Sequence, residues 1–115
     1  MSADYRKKMQ ACVAVLSSAS QEEREKTDLT RHEAFQAWRR AAYEESGFLY
    51  DGDYIGMYRA CKEKRIEGLS MEEVRACITF DLRQMRCEYA PYSCIVRGEL
   101  AALLRRYLEL TEVEG

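Results

Sequence analysis

The chain has 115 residues, 47% of them hydrophobic and 33% charged, and a formal net charge of −2. This is a globular composition with enough apolar residues for one core, which excludes a disordered polar chain. The small negative balance argues against electrostatic capture of nucleic acid or of an anionic membrane as the dominant mode of action.

Proline occurs once, at Pro91, and no alternation of apolar and polar residues is sustained, so helices are expected throughout. Tyr5, Met9, Cys12, Val13 and Leu16 share one stripe of a helix predicted over residues 3–26, with Asp4 suited to the dipole of its first turn. Thr30 with Glu33 reads as a capping box opening a second helix, residues 30–46, whose apolar face is Phe35, Trp38 and Ala42. Gly47 stands where a C′ glycine stops a helix, and Phe48 and Leu49 supply the hydrophobic contact that often follows. Asp51 or Asp53 can cap a third helix over 51–65, in which Tyr54, Tyr58 and Cys61 share a face. Gly56 inside it costs about 1 kcal/mol relative to alanine, and close packing against another backbone would explain it.

Gly68 breaks the chain before the best-signalled helix, residues 70–89. Ser70 and Glu73 form its capping box, and Met71, Val74, Ile78, Leu82 and Met85 follow at helical spacing. Ala76, Phe80 and Cys87 are a surplus, lying roughly 140 to 200° round from Met71 at about 100° per residue. A helix apolar on two sides is either the middle of a bundle or one side of an interface. Ala90-Pro91 ends it, because the residue before proline avoids the helical region. A fifth helix, residues 92–110, carries Val96, Leu100, Leu103, Leu104 and Tyr107 on a single face. The fold class is therefore expected to be all-α: one domain, residues 1–115, a compact bundle of about five helices with short connections and no sheet.

The five cysteines, Cys12, Cys61, Cys77, Cys87 and Cys94, form an odd set without a CxxC pair or a preceding signal-peptide pattern, which suggests a reducing cytoplasm. Cys87 and Cys94, flanking Pro91, are expected to be the more exposed ones. None of the spacings is that of a zinc loop, so no metal site is expected. His32 is the one histidine a cysteine or serine nucleophile could use as its base; it reads as an exposed first-turn residue, and no catalytic residues are assigned. Asp51-Gly52-Asp53 lacks the further ligands of a calcium loop, because Ile55 stands where a third oxygen is needed. There is no glycine-rich phosphate loop and no HExxH. No cofactor, small-molecule substrate or membrane attachment is expected; the longest apolar run, Ala11–Leu16, is far short of a span.

The function expected by elimination is that of a small non-enzymatic interaction or regulatory protein, which binds a protein partner, self-associates or serves as a small subunit of a larger assembly. Its candidate contact residues are Phe80, Arg83, Gln84 and Cys87, on the helix face away from Met71. The alternative is nucleic-acid binding through Arg59, Lys62, Lys64 and Arg65, which follow Tyr50, Tyr54 and Tyr58 so that rings could stack on bases while cations track phosphates. Gly47-Phe48-Leu49, Asp51, Tyr54 and Tyr58, followed by Ser70-Met71-Glu72-Glu73-Val74-Arg75, resemble the three-helix repeat of the RecX regulators of the recombinase filament. The resemblance implies a regulatory role on a nucleoprotein. RecX repeats are more basic around their second helix than this chain, which has Glu72 and Glu73 there.

Overall fold

Local capping chemistry cuts the chain into more helices than apolar periodicity suggests. The computed structural model describes residues 1–114, and among them are seven α-helices, two short 3₁₀ turns and no strand: α1 (Ala3–Ser18), α2 (Gln21–Lys26), α3 (Glu33–Glu44), α4 (Tyr54–Cys61), α5 (Met71–Gln84), α6 (Ser93–Val96) and α7 (Glu99–Glu114). The expectation of an all-α bundle holds, while several of the expected boundaries do not. The long first helix is broken because Ser20 and Glu23 form their own capping box, with Ser20 Oγ accepting from the Glu23 amide at 3.1 Å and Glu23 Oε1 accepting from the Ser20 amide at 3.3 Å. Thr30 does not cap the next helix. It lies in the turn Leu29–Arg31 and donates to Asp28 Oδ1 at 2.6 Å, and His32 is the N-cap, its Nδ1 accepting from the Ala34 amide at 3.0 Å.

Gly47 adopts φ +74° just beyond α3, where the Phe48 amide donates to Glu45 O at 3.3 Å, a turn that calls for positive φ. Of the two candidate caps of α4, Asp53 does the work, Oδ1 accepting from the Gly56 amide at 2.9 Å. A methyl group at Gly56 would overlap that same carboxylate, so the glycine answers to the cap and not to a neighbouring backbone. α5 keeps its capping box but ends at Gln84, several residues before Pro91, so Cys87 stands outside the helix. The last expected helix is two, separated by Gly98 at φ +74°, a conformation α-helix cannot contain.

These elements close round one core. α1 packs against α3 and α7, and α5 against α4 and α7. Tyr5, Phe35, Trp38, Phe48 and Tyr107 form its aromatic centre: Phe48 meets Tyr5 and Tyr107 edge-on at 5.1 and 5.0 Å, and Phe35 meets Trp38 at 5.7 Å. Each such pair contributes about 0.5–1.5 kcal/mol beyond area burial. Trp38 Nε1 donates to Tyr5 Oη at 3.2 Å, satisfying the one polar atom the indole carries inward. The Cα radius of gyration, 13.3 Å, matches the roughly 13 Å of a well-packed domain of this length.

α5 is the central element, which accounts for its surplus of apolar residues. Val74, Ile78 and Leu82 are buried along one stripe, flanked by Cys77 and Asp81, and Ala76 and Thr79 are buried on the other side. Arg75 and Thr79 moor the loop after α3: Arg75 donates to Phe48 O at 2.7 Å and Leu49 O at 3.1 Å, and Thr79 Oγ1 accepts from the Tyr50 amide at 2.9 Å. Met71 is only half-buried, at the first turn, although its side chain packs on the core.

Candidate binding cleft

Tyr54 and Tyr58, one turn apart on α4, face α5 at its C-terminal half. There Tyr58 and Phe80 stack face to face, with ring centroids 3.8 Å apart and planes inclined 15°. Phe80 is thereby half-buried: one ring face lies on Tyr58 and neither the core nor solvent claims it fully. Tyr58 Oη donates to the Glu99 carboxylate, 3.0 Å from Oε1 and 3.1 Å from Oε2, and Arg97 Nη2 donates to Glu99 Oε1 at 3.3 Å. Glu99 opens α7, where the helix dipole favours a carboxylate.

Beneath this trio lies Asp81, 2% exposed, whose Oδ2 accepts no donor. Burial, and after it contact with Glu99, raises its carboxyl well above the ordinary range, which favours the protonated form. Burial likewise raises the Tyr58 phenol, with Glu99 adding to the effect. Glu88 is engaged at the far end, accepting from Ser93 N at 2.6 Å and from Ser93 Oγ at 3.3 Å. Tyr58, Lys62, Phe80, Gln84, Glu88, Ser93, Arg97 and Glu99 together line an open cleft of about 530 Å³. A smaller hollow of about 130 Å³ lies on the other side of Tyr58 and Glu99, walled by Cys61, Ile66, Leu69, Cys77 and Leu103. At its mouth Glu73 accepts from Lys64 Nζ at 2.6 Å and from Cys61 Sγ at 3.2 Å, and Lys64, then the Ser70 amide, then Cys61 lower the Glu73 carboxyl to about 2.

The residues singled out in sequence are thus partly regrouped. Phe80 and Gln84 line the cleft together with Lys62 from the basic set. Arg83 turns elsewhere, its guanidinium 5.2 Å from the centroid of the Tyr54 ring, and Cys87 is exposed beyond the end of α5. Lys64 is tied to Glu73, while Arg59 and Arg65 are exposed and outside the cleft lining. Cys94, expected to be exposed, is buried, because the chain after Pro91 turns back into α6 and seats it in the core. His32 spends Nδ1 on the α3 cap.

No sequence signal marks Glu99 or Arg97, and the alternation of Glu72, Glu73, Asp81 and Glu88 with Arg75, Arg83 and Arg86 reads as a solvated helix face, which the burial of Asp81 corrects. Only Asp81 left a readable trace, since it falls between Ile78 and Leu82, one turn from Cys77, at a position the helix turns inward. Among the described residues no group of three or more His, Cys, Asp or Glu is arranged to hold a metal ion, and no helix is long and apolar enough to cross a membrane. No family model, curated protein or solved structure matches the chain significantly, so the likeness of its middle to RecX repeats carries no functional residue onto it.

Proposed function

We propose that this chain is a non-enzymatic interaction protein that receives a segment of a protein partner, or of a second copy, in the cleft beside Phe80. The observation that carries this reading is the Tyr58–Phe80 stack at the cleft wall. A rigid, half-exposed aromatic pair is flanked by Lys62 and Arg97 on one hand and Glu88 and Glu99 on the other, an apolar anchor point with a polar rim. Engagement of its polar groups within the fold supports binding over catalysis. Glu99 accepts from Tyr58 and Arg97, and Glu88 accepts from Ser93. The basic set Arg59, Lys62, Lys64 and Arg65 supports nucleic-acid binding less well, since Lys64 is neutralised by Glu73 and Lys62 faces the cleft.

Photo-crosslinking tests the reading. A benzophenone amino acid placed at Gln84, exposed on the cleft lip, is expected to give one discrete adduct in host cells, and Phe80→Ala is expected to abolish it while the protein stays folded by circular dichroism. The same probe at Gln10, exposed on α1, is the control. Equal adducts from both positions, or none from Gln84, would overturn the reading.

A further inference from the structure

A second surface lies on the far side of α5 from Phe80. Arg39, Arg40 and Tyr43 on α3 meet Arg86, just past the end of α5. A groove of about 210 Å³ is lined by Arg39, Tyr43, Leu82, Met85 and Arg86, and a neighbouring hollow of about 390 Å³ by Gln36, Arg39, Arg40 and Tyr43. Neither is lined by a carboxylate. The floor is apolar, for Leu82 and Met85 are core residues that show only 2% and 7% of their surface here.

The arginines are without ion-pair partners among the described residues. Arg86 Cζ lies over the Tyr43 ring, 5.2 Å from its centroid, and Arg39 Cζ over the Phe35 ring at 5.5 Å, so two guanidinium groups rest by aromatic rings while their N–H groups make no hydrogen bond within the described residues. Among the described residues none of Arg39, Arg40 and Arg86 forms an ion pair; even Glu44, one turn from Arg40 on α3, makes none with it. Arg6 and Arg97, by contrast, are paired with Glu112 and Glu99.

We propose that the groove between α3 and the C-terminal end of α5 docks a short acidic peptide segment, with one apolar side chain seated over Leu82 and Met85 and flanking carboxylates on Arg39, Arg40 and Arg86. Guanidinium forks match carboxylates bidentately, and an apolar floor with a cationic rim fits alternating acidic and apolar residues. A short segment fits better than a long polyanion. The molecule as a whole carries −2 and so lacks the strongly basic footprint that a long polyanion calls for, whereas a short ligand within about 8 Å of the arginines is governed by the patch itself at physiological salt.

Fluorescence anisotropy on the full chain provides the test, using a labelled synthetic peptide of Glu and Asp around a central Leu, the same peptide with Lys for every acid, and single-stranded RNA of similar length. The acidic peptide is expected to bind at low salt and the lysine peptide not to. Arg40→Gln with Arg86→Gln, both at exposed positions, is expected to weaken binding about three- to tenfold, while Arg59→Gln with Arg65→Gln leaves it unchanged. Amide shifts of the unaltered protein on adding the acidic peptide should cluster at Arg39, Tyr43 and Arg86, a readout independent of how the variants fold. Absence of binding at low salt, equal losses in both double variants, shifts centred elsewhere, or tighter binding of the RNA at the same arginines would each overturn the proposal.

Discussion

At the level of single residues the cysteines show how burial sets reactivity. Cys12, Cys61, Cys77 and Cys94 are buried and Cys87 is exposed. Desolvation pushes the Cys12 and Cys77 thiols up to about 12, and raises those of Cys94 and Cys61 as well, so none of these four offers thiolate at neutral pH. Iodoacetamide is therefore expected to add once to the native protein, at Cys87, and five times in denaturant, as read by intact mass and peptide mapping. Two adducts forming at similar rates without denaturant would contradict the burial of Cys94. Phe80 illustrates a different lesson, because it stands between the two roles its helical position suggested, half-buried at the wall of the cleft. The ring is neither core nor free surface but one half of a stack whose other half, Tyr58, is anchored by Glu99.

Helices in this molecule are delimited by side chains that bind their own backbone. In α4 the Asp53 carboxylate occupies the space a Cβ at position 56 would need, which couples the two residues. Gly56→Ala alone is expected to forfeit the gain of about 1 kcal/mol that alanine ordinarily brings to a helix, because the cap is displaced. In a chain already carrying Asp53→Ala the same change is expected to stabilise by up to about 1 kcal/mol. Urea unfolding of the four proteins measures the coupling, and strictly additive effects would refute the steric account. The capping box at Ser70 and Glu73 was legible because a long apolar stripe follows it. The identical signal at Ser20 and Glu23 was hidden because α2 buries no residue and Tyr5, Met9, Cys12 and Leu16 already complete a stripe before it. Gly98 is silent in the sequence for a similar reason: the stripe of Val96, Leu100, Leu103, Leu104 and Tyr107 reads smoothly across a break that only φ reveals. Periodicity locates faces, and caps locate ends.

Across the whole molecule, the core was largely legible and the cleft largely was not. Apolar residues at helical spacing reach the core wherever the chain goes, as Met9, Trp38, Ile78 and Leu104 do. The cleft and the arginine groove instead depend on which helix ends meet, and no local pattern links Tyr58 to Glu99 or Tyr43 to Arg86. The buried Asp81 also sets how stability responds to pH. Its folded carboxyl titrates above the ordinary value of 3.8, so between the two the native chain keeps a proton that the unfolded chain has lost. With fewer protons bound in the unfolded state, stability falls as pH rises through that window. Glu73 acts in the opposite sense, for its carboxyl is lowered from 4.5 to about 2, and its contribution is present above 4.5 and lost as pH falls toward 2. Wild type is therefore expected to lose stability as pH falls below 4.5, through Glu73, and to decline as pH rises above 3.8, through Asp81. Asp81→Asn is expected to flatten that decline, since an amide stays neutral and can still donate to Glu99, and to raise stability at neutral pH on the order of 1 kcal/mol. Urea midpoints across the pH range decide the matter: an unchanged slope in the variant, or a large loss at every pH, would show that Asp81 does not carry the proton.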